Sequence, residues 1–183
     1  MSGKYGVALA SHIERQLKLK DPVEAIEGIV NSDFFPRVWN EDDFRNLPEM
    51  LRTVCDVYAF CINSGAAGLV GLFSDSSTRL AMNEIEASLK RIGAKRSCDF
   101  VEKLRVAMPR KRFPRNATES ARVWNVLMSA PGKQGQSAAM FRKLMAEYVP
   151  AVSSLPEELR RFLKKNSKEL IDALAAAKSG GGR

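Results

Sequence analysis

Apolar residues recur every three or four positions along most of the chain, the spacing that places them on one face of an α-helix. The clearest stretch covers residues 46 to 93, where two such patterns flank a joint, Gly65 to Phe73, that is nearly free of charge. The joint is rich in glycine and alanine, which let neighbouring backbones approach closely. We therefore expect it to be the most deeply buried part of the molecule.

Local signals mark where these two helices begin and end. Asn46, Leu47, Pro48 and Glu49 form an N-cap followed by a glutamate at the third helical position. This first helix is predicted to stop at Asn63-Ser64-Gly65, and the second at Gly93, a residue suited to the left-handed conformation after a helix.

The same reasoning extends over the rest of the chain. Proline at a first helical position, after Asp21, indicates a helix start at Pro22. A further helix is predicted to end before Pro150, and Ser154 to Glu157 open one long final helix. The predicted helices outside the central pair cover 4–19, 22–30, 98–108, 117–129, 137–148 and 155–178.

No segment alternates with a period of two over a convincing length, and no repeat of fixed period is visible. The sequence therefore predicts an all-α protein. We expect one compact domain of about eight or nine helices over residues 1–178, followed by a flexible tail, 179–183.

A dense aromatic group lies between the second predicted helix and the central pair. Phe34, Phe35 and Trp39 surround Pro36, which breaks any helix there. Two interpretations fit this pattern: a hydrophobic lid that closes one end of the core, or an exposed docking patch. The sequence does not separate them.

Charge divides the chain. The protein carries a formal net charge of +8, yet residues 1–89 are net negative. Residues 90–115 hold ten Lys and Arg against two Asp and Glu, and residues 116–183 hold eleven against six. An acidic partner is therefore expected for the second half.

Two sets of basic residues are candidate contacts. The first set, for an acidic partner or a nucleic acid, is Lys90, Arg91, Lys95, Arg96, Lys103, Arg105, Arg110, Lys111, Arg112 and Arg115. The second is the outer stripe of the last predicted helix: Arg161, Lys164, Lys165 and Lys168. Both sets also suit an ordinary solvated surface, and only Phe100 and Phe113 interleave with the first set as stacking groups.

Catalytic and metal chemistry lack their usual residues. The chain has three cysteines without CxxC spacing and one histidine, His12, so a zinc site lacks ligands. The loop around Lys133 does not match a phosphate-binding loop, because no Ser or Thr follows that lysine. We expect no catalytic residue, metal or cofactor. The chain also shows no signal-peptide core and no apolar run that crosses a bilayer, which favours a cytoplasmic protein.

The middle of the chain resembles a small, all-helical bacterial family that includes a DNA-mimic protein. Gly68-Leu69-Val70-Gly71-Leu72-Phe73-Ser74-Asp75 is similar to the joint of that family, and residues 85–94 are similar to its helix ending in Ile-Gly-Ala. Leu47-Pro48 and the apolar run after them fit its preceding helix. The resemblance covers residues 46–108 and implies a helical fold.

The expected function is binding of another protein, without catalysis. A DNA mimic must present rows of carboxylates spaced like phosphates, whereas this chain carries +8 and its acids are scattered. A regulator, or an immunity-type protein that masks a partner, fits a compact helical domain with segregated charge. The alternative is nucleic-acid binding through residues 90–115.

Overall fold

A computed structural model describes residues 3–37, 41–66, 82–108, 111–114, 118–119, 122–123, 125 and 135–180. These residues contain nine α-helices and no strand, which confirms the all-α class. The helices are α1 (Gly3–Leu17), α2 (Pro22–Val30), α3 (Glu41–Arg45), α4 (Glu49–Ala66), α5 (Met82–Ile92), α6 (Lys95–Ala107), α7 (Gly135–Val152), α8 (Leu155–Lys165) and α9 (Ser167–Gly180).

Helix α2 has the predicted ends because its capping residues are local. One carboxylate oxygen of Asp21 accepts hydrogen bonds from the backbone N–H of Val23, at 2.7 Å, and of Glu24, at 3.3 Å. Proline follows at the first helical position, where a missing N–H costs nothing.

The predicted end of α7 before Pro150 is wrong, since the helix runs through this proline to Val152. Pro150 lies in the last turn with its side chain exposed. Two hydrogen bonds follow the proline in this turn. The Ser153 N–H donates to the Val149 carbonyl, and the Ser97 hydroxyl donates to the Ala151 carbonyl. Proline removes one helical hydrogen bond at this point without ending the helix.

The single C-terminal helix predicted over 155–178 is also wrong. It is interrupted at Asn166, so that α8 and α9 are separate helices. The Asn166 side-chain amide donates to the Phe162 carbonyl at 2.8 Å, and the Asn166 backbone N–H donates to the same oxygen at 3.0 Å. The side chain therefore shares a carbonyl with the backbone N–H, and such side-chain competition makes asparagine unfavourable inside helices.

Helix α6 begins at Lys95, three residues before the predicted start at Cys98. Ala94, the residue before it, makes no side-chain capping bond. The start follows directly from the end of α5, where Gly93 has a φ of 78°. The sequence signals for an N-cap were therefore absent at the true start.

Two compact units divide the chain, one formed by residues 1–58 and 156–183 and the other by residues 59–155. The first is called unit 1 and the second unit 2. The boundary between residues 58 and 59 falls inside α4. The organisation as one domain stays a prediction.

In unit 1, α1 packs against α2 and α9. The His12 imidazole makes a 3.0 Å hydrogen bond with the Gly28 carbonyl, which ties α1 to α2. Phe35 is buried, and the half-buried Phe34 packs its ring against His12 and Tyr5. Both phenylalanines therefore take part in the packing of this unit, while Trp39 lies outside the described residues.

In unit 2, α6 packs against α5 and α7 around the buried Tyr148. Its ring centroid lies 5.6 Å from those of Phe60 and Phe100. Its hydroxyl donates to the Phe60 carbonyl at 2.8 Å, and burial raises the pKa of this phenol above its ordinary value. The side chain thus satisfies its one polar group inside an apolar environment.

Two predicted elements are not covered by the structure. The joint at 65–73 lies outside the described residues beyond Ala66, and the side chains of 65 and 66 are not described either. Of the helix predicted at 117–129, only positions 118–119, 122–123 and 125 are described, and they are helical.

Replacing Gly93 with alanine is expected to lower the free energy of unfolding by about 1 kcal/mol. Gly93 follows α5 in the left-handed region, and the Gly93 and Ala94 N–H groups donate to the Lys90 and Leu89 carbonyls. An added Cβ at Gly93 meets no atom within 4 Å, so the cost is conformational. Urea denaturation measures it. Gly6→Ala, in α1 with equally open space, is the control and should stabilise the protein.

Candidate docking surfaces

The predicted contact residues of 90–115 are spread over the end of α5, the whole of α6 and the loop that follows. All of the described ones belong to unit 2. Two arginines, Arg110 and Arg115, lie outside the described residues. The remaining eight divide according to whether a carboxylate of the same unit holds them.

Glu86 on α5 holds two of these cations. Its carboxylate accepts from the Lys90 ammonium at 2.7 Å, one helical turn away, and also pairs with the Arg105 guanidinium from α6. Arg105 pairs in addition with Glu102 and lies over the Phe113 ring, 5.5 Å from its centroid. Arg105 is half-buried by these contacts and serves to join α5, α6 and the loop.

Two further cations of the segment are held in the same way. The Lys103 ammonium on α6 lies 3.0 Å from the Glu147 carboxylate on α7. Arg112 donates to both oxygens of Glu119, at 2.9 and 2.7 Å, and this hydrogen bonding raises the pKa of the guanidinium. Such bidentate pairs are geometrically specific.

Three of the remaining described members of the set are less constrained. Lys95, Arg96 and Lys111 are exposed and form no ion pair with another described residue. Arg91 is half-buried at the end of α5. The segment is therefore a partly neutralised surface, and the structure does not bring its cations together as one free set.

The second predicted set lies on α8 and α9, in unit 1. Arg161 is 73% exposed at its side chain and pairs with Glu157 at 2.9 Å. Lys164, Lys165 and Lys168 are exposed, and within the described chain none of them forms an ion pair. These four residues are called the α8–α9 basic face.

Two further lysines lie in a loop that contacts α8. Arg160 on α8 donates to the Leu19 carbonyl at 2.9 Å, which places the loop after α1 against α8. Lys18 and Lys20 flank Leu19 and are both exposed. No pattern in the sequence connects these lysines with α8, because the contact spans 141 positions.

Carboxylates border the α8–α9 basic face at both ends. Glu157 lies one turn before Arg161, and its hydrogen bonds from Arg160, and then from Arg161, lower the pKa of its carboxyl. Glu169 and Asp172 are exposed on α9, just after Lys168. The face thus reads acidic, basic and acidic again along the two helices.

Cys55 and His12 are two potentially reactive side chains in the described part of the chain. Burial raises the pKa of the Cys55 thiol to about 12, so it is not a nucleophilic thiolate near neutral pH. His12 contacts the Gly28 carbonyl, Arg15 and the Phe34 ring. Nowhere in the described ranges do three or more His, Cys, Asp or Glu side chains form a group that could hold a metal ion.

No family model, no curated protein and no solved structure matches this chain. Among the helices of the described residues, none is both long enough and apolar enough to cross a membrane.

Proposed function

We propose that this protein is a non-enzymatic protein-binding module, a regulator or immunity-type protein that masks a partner. One observation carries the proposal: carboxylates of unit 2 already hold four cations of segment 90–115. Lys90 and Arg105 pair with Glu86, Lys103 pairs with Glu147, and Arg112 pairs with Glu119. Nucleic-acid binding through this segment was the main alternative.

These ion pairs count against nucleic-acid binding, because a cation contacts a phosphate by neutralising its charge. A cation contributes to binding when it replaces condensed counterions on the phosphates. Lys103 and Arg112 would have to leave Glu147 and Glu119, and the freed carboxylates would then face the phosphates. Mixed charge of this kind suits a protein partner with a complementary pattern, where it sets register and association rate.

The absence of catalysis is part of the proposal. The described Cys55 thiol is protonated at neutral pH, and the one histidine of the chain packs between α2 and an aromatic ring. Neither arrangement supplies the nucleophile and base that an active site requires. We further propose that the protein acts in the cytoplasm and shares the helical fold of the DNA-mimic family that it resembles.

The test is a titration of labelled duplex and single-stranded DNA with the protein, at low salt and at about 0.15 M salt. We expect binding at low salt only, because a basic protein attracts any polyanion when screening is weak. Glu119→Gln is the sharpest comparison variant, since it frees Arg112 and should strengthen the low-salt binding. Micromolar or tighter binding of the wild type at the higher salt would contradict the proposal.

A further inference from the structure

The α8–α9 basic face holds cations that the described fold does not pair. Among the described residues, Arg161 alone of its four members has a carboxylate partner, Glu157. That partner is shared with Arg160, whose Nη2 atom lies 2.7 Å from it. Three exposed lysines that form no ion pair with a described residue thus lie within residues 164–168, whereas the three such cations of segment 90–115, Lys95, Arg96 and Lys111, are spread over residues 95–111.

Helix stability does not account for this arrangement. Lys164 and Lys165 suit the C-terminal end of α8, where the helix dipole favours cations. Lys168, however, lies in the first turn of α9, where the dipole disfavours them. Arg161 also repels Lys164 and Lys165 at spacings of three and four residues.

The dimensions of the face limit what can bind. Arg161, Lys164 and Lys165 lie within the last five residues of α8, about 6 Å of helix, and Lys168 follows in the first turn of α9. Glu157 precedes this stretch, and Glu169 and Asp172 follow it. A nucleic-acid strand carries uniform negative charge and would meet these carboxylates on leaving the basic stretch at either end.

The face also lacks apolar anchors. The exposed large apolar side chains of the described chain are Val7, Val23, Val106, Met140 and Val149, and none lies on α8 or α9. A surface helix that inserts into a bilayer needs such side chains on the face that meets the lipid. The occupant must instead match a short basic patch with acidic ends by charge.

We propose that an acidic helical segment of the partner protein docks on the α8–α9 basic face, with Lys18 and Lys20 extending the contact. This inference rests on the proposed function and specifies its partner. Carboxylates at positions i, i+3 and i+4 of one helix match the spacing of Arg161, Lys164 and Lys165 on α8, and a further carboxylate at i+7 is the candidate partner of Lys168 on α9. Basic residues one turn beyond them at each end would oppose Glu157 and Asp172.

Two labelled helical peptides of identical composition provide the probe. The patterned peptide has the acidic stripe flanked by lysines, and the scrambled peptide distributes the same charges around the helix. Fluorescence anisotropy at about 0.15 M salt gives the Kd of each for the full-length protein. We expect the patterned peptide to bind about tenfold more tightly, because several exposed ion pairs of a few tenths of a kcal/mol each add up. Equal affinity would overturn the inference.

Variants assign the binding to the face. Lys164→Gln, Lys165→Gln and Lys168→Gln together should abolish the preference for the patterned peptide, and replacement of the same three lysines by arginine should preserve it. The control removes equal charge from exposed positions in unit 2: Arg122→Gln, Arg142→Gln and Lys143→Gln. An equal loss in the control would show attraction to net charge alone and would overturn the inference. Circular dichroism verifies that every variant is folded.

Tests with duplex DNA and with anionic vesicles distinguish a failure of this inference from a failure of the proposed function. If neither peptide is preferred and duplex DNA does not bind at physiological salt, the inference fails and the proposed function stands. If duplex DNA binds with micromolar affinity and the lysine-to-glutamine variant abolishes it, both fail. Vesicles rich in anionic lipid that bind the face more tightly than the patterned peptide would overturn the inference alone.

Discussion

Replacing Tyr148 with alanine is expected to lower the free energy of unfolding by about 3–5 kcal/mol. Tyr148 is fully buried in unit 2 and contacts the rings of Phe60 and Phe100. Truncation removes both ring contacts and leaves a cavity that the surrounding helices fill only in part. It also removes the hydroxyl that donates to the Phe60 carbonyl. Urea denaturation monitored by circular dichroism measures the change.

Two controls divide this loss into its parts. Tyr148→Phe keeps the ring and removes the hydroxyl, and should cost about 1 kcal/mol for the lost hydrogen bond. Val149→Ala, at the next position of α7, alters an exposed side chain and should change stability by about 0.5 kcal/mol or less. A Tyr148→Ala variant as stable as Val149→Ala would show that this aromatic cluster does not form.

Replacing Leu89 with aspartate is expected to leave the protein largely unfolded at room temperature, without a cooperative melting transition. Leu89 is 0% exposed on α5, so an aspartate there would place a carboxylate in the core. Burying an unpaired charge costs about 4 kcal/mol or more, a large share of the stability of a small domain. Differential scanning calorimetry should show no transition, or one at a much lower temperature.

The matched control is Ala87→Asp, which places the same carboxylate on an exposed position of α5. It should cost about 0.7 kcal/mol, from helix propensity alone. Leu89→Met, which conserves volume, should cost less than about 1.5 kcal/mol. Wild-type melting of Leu89→Asp would mean that the predicted apolar stripe of α5 does not face the core.

Elements fixed by neighbouring residues could be predicted from the sequence. Asp21 and Pro22 define the start of α2 through contacts within three residues. Gly93 ends α5 through bonds to carbonyls no more than five residues away. The apolar spacing likewise predicted the helical class, because it depends only on which residues lie on one helical face.

One error involves a distant residue and the other a local side chain. Helix α7 continues through Pro150, and Ser97, more than fifty residues earlier, contributes to its last turn by donating to the Ala151 carbonyl. The break at Asn166 is local, but an asparagine amide that bonds a helix carbonyl has no sequence pattern separating it from one that faces solvent. Apolar periodicity continues across it, so one helix was predicted.

The sequence points to candidate cations but does not show which of them form ion pairs. Composition shows ten cations in 90–115, yet Glu147 and Glu86 reach Lys103 and Arg105 from other helices. Likewise, the loop of Lys18 and Lys20 lies against α8 because Arg160 bonds Leu19 across 141 positions of sequence. Such contacts depend on tertiary structure and leave no local signal.

The proposed binding site for the partner is the α8–α9 basic face and not segment 90–115. Amide chemical shifts of isotope-labelled protein, recorded while the patterned acidic peptide is added at physiological salt, test this most directly. We expect saturable shifts at Arg161, Lys164, Lys165, Lys168 and the loop of Lys18 and Lys20. Little change is expected at Lys95, Arg96 and Lys111. Saturable shifts centred on 90–115, with the α8–α9 residues unmoved, would contradict it.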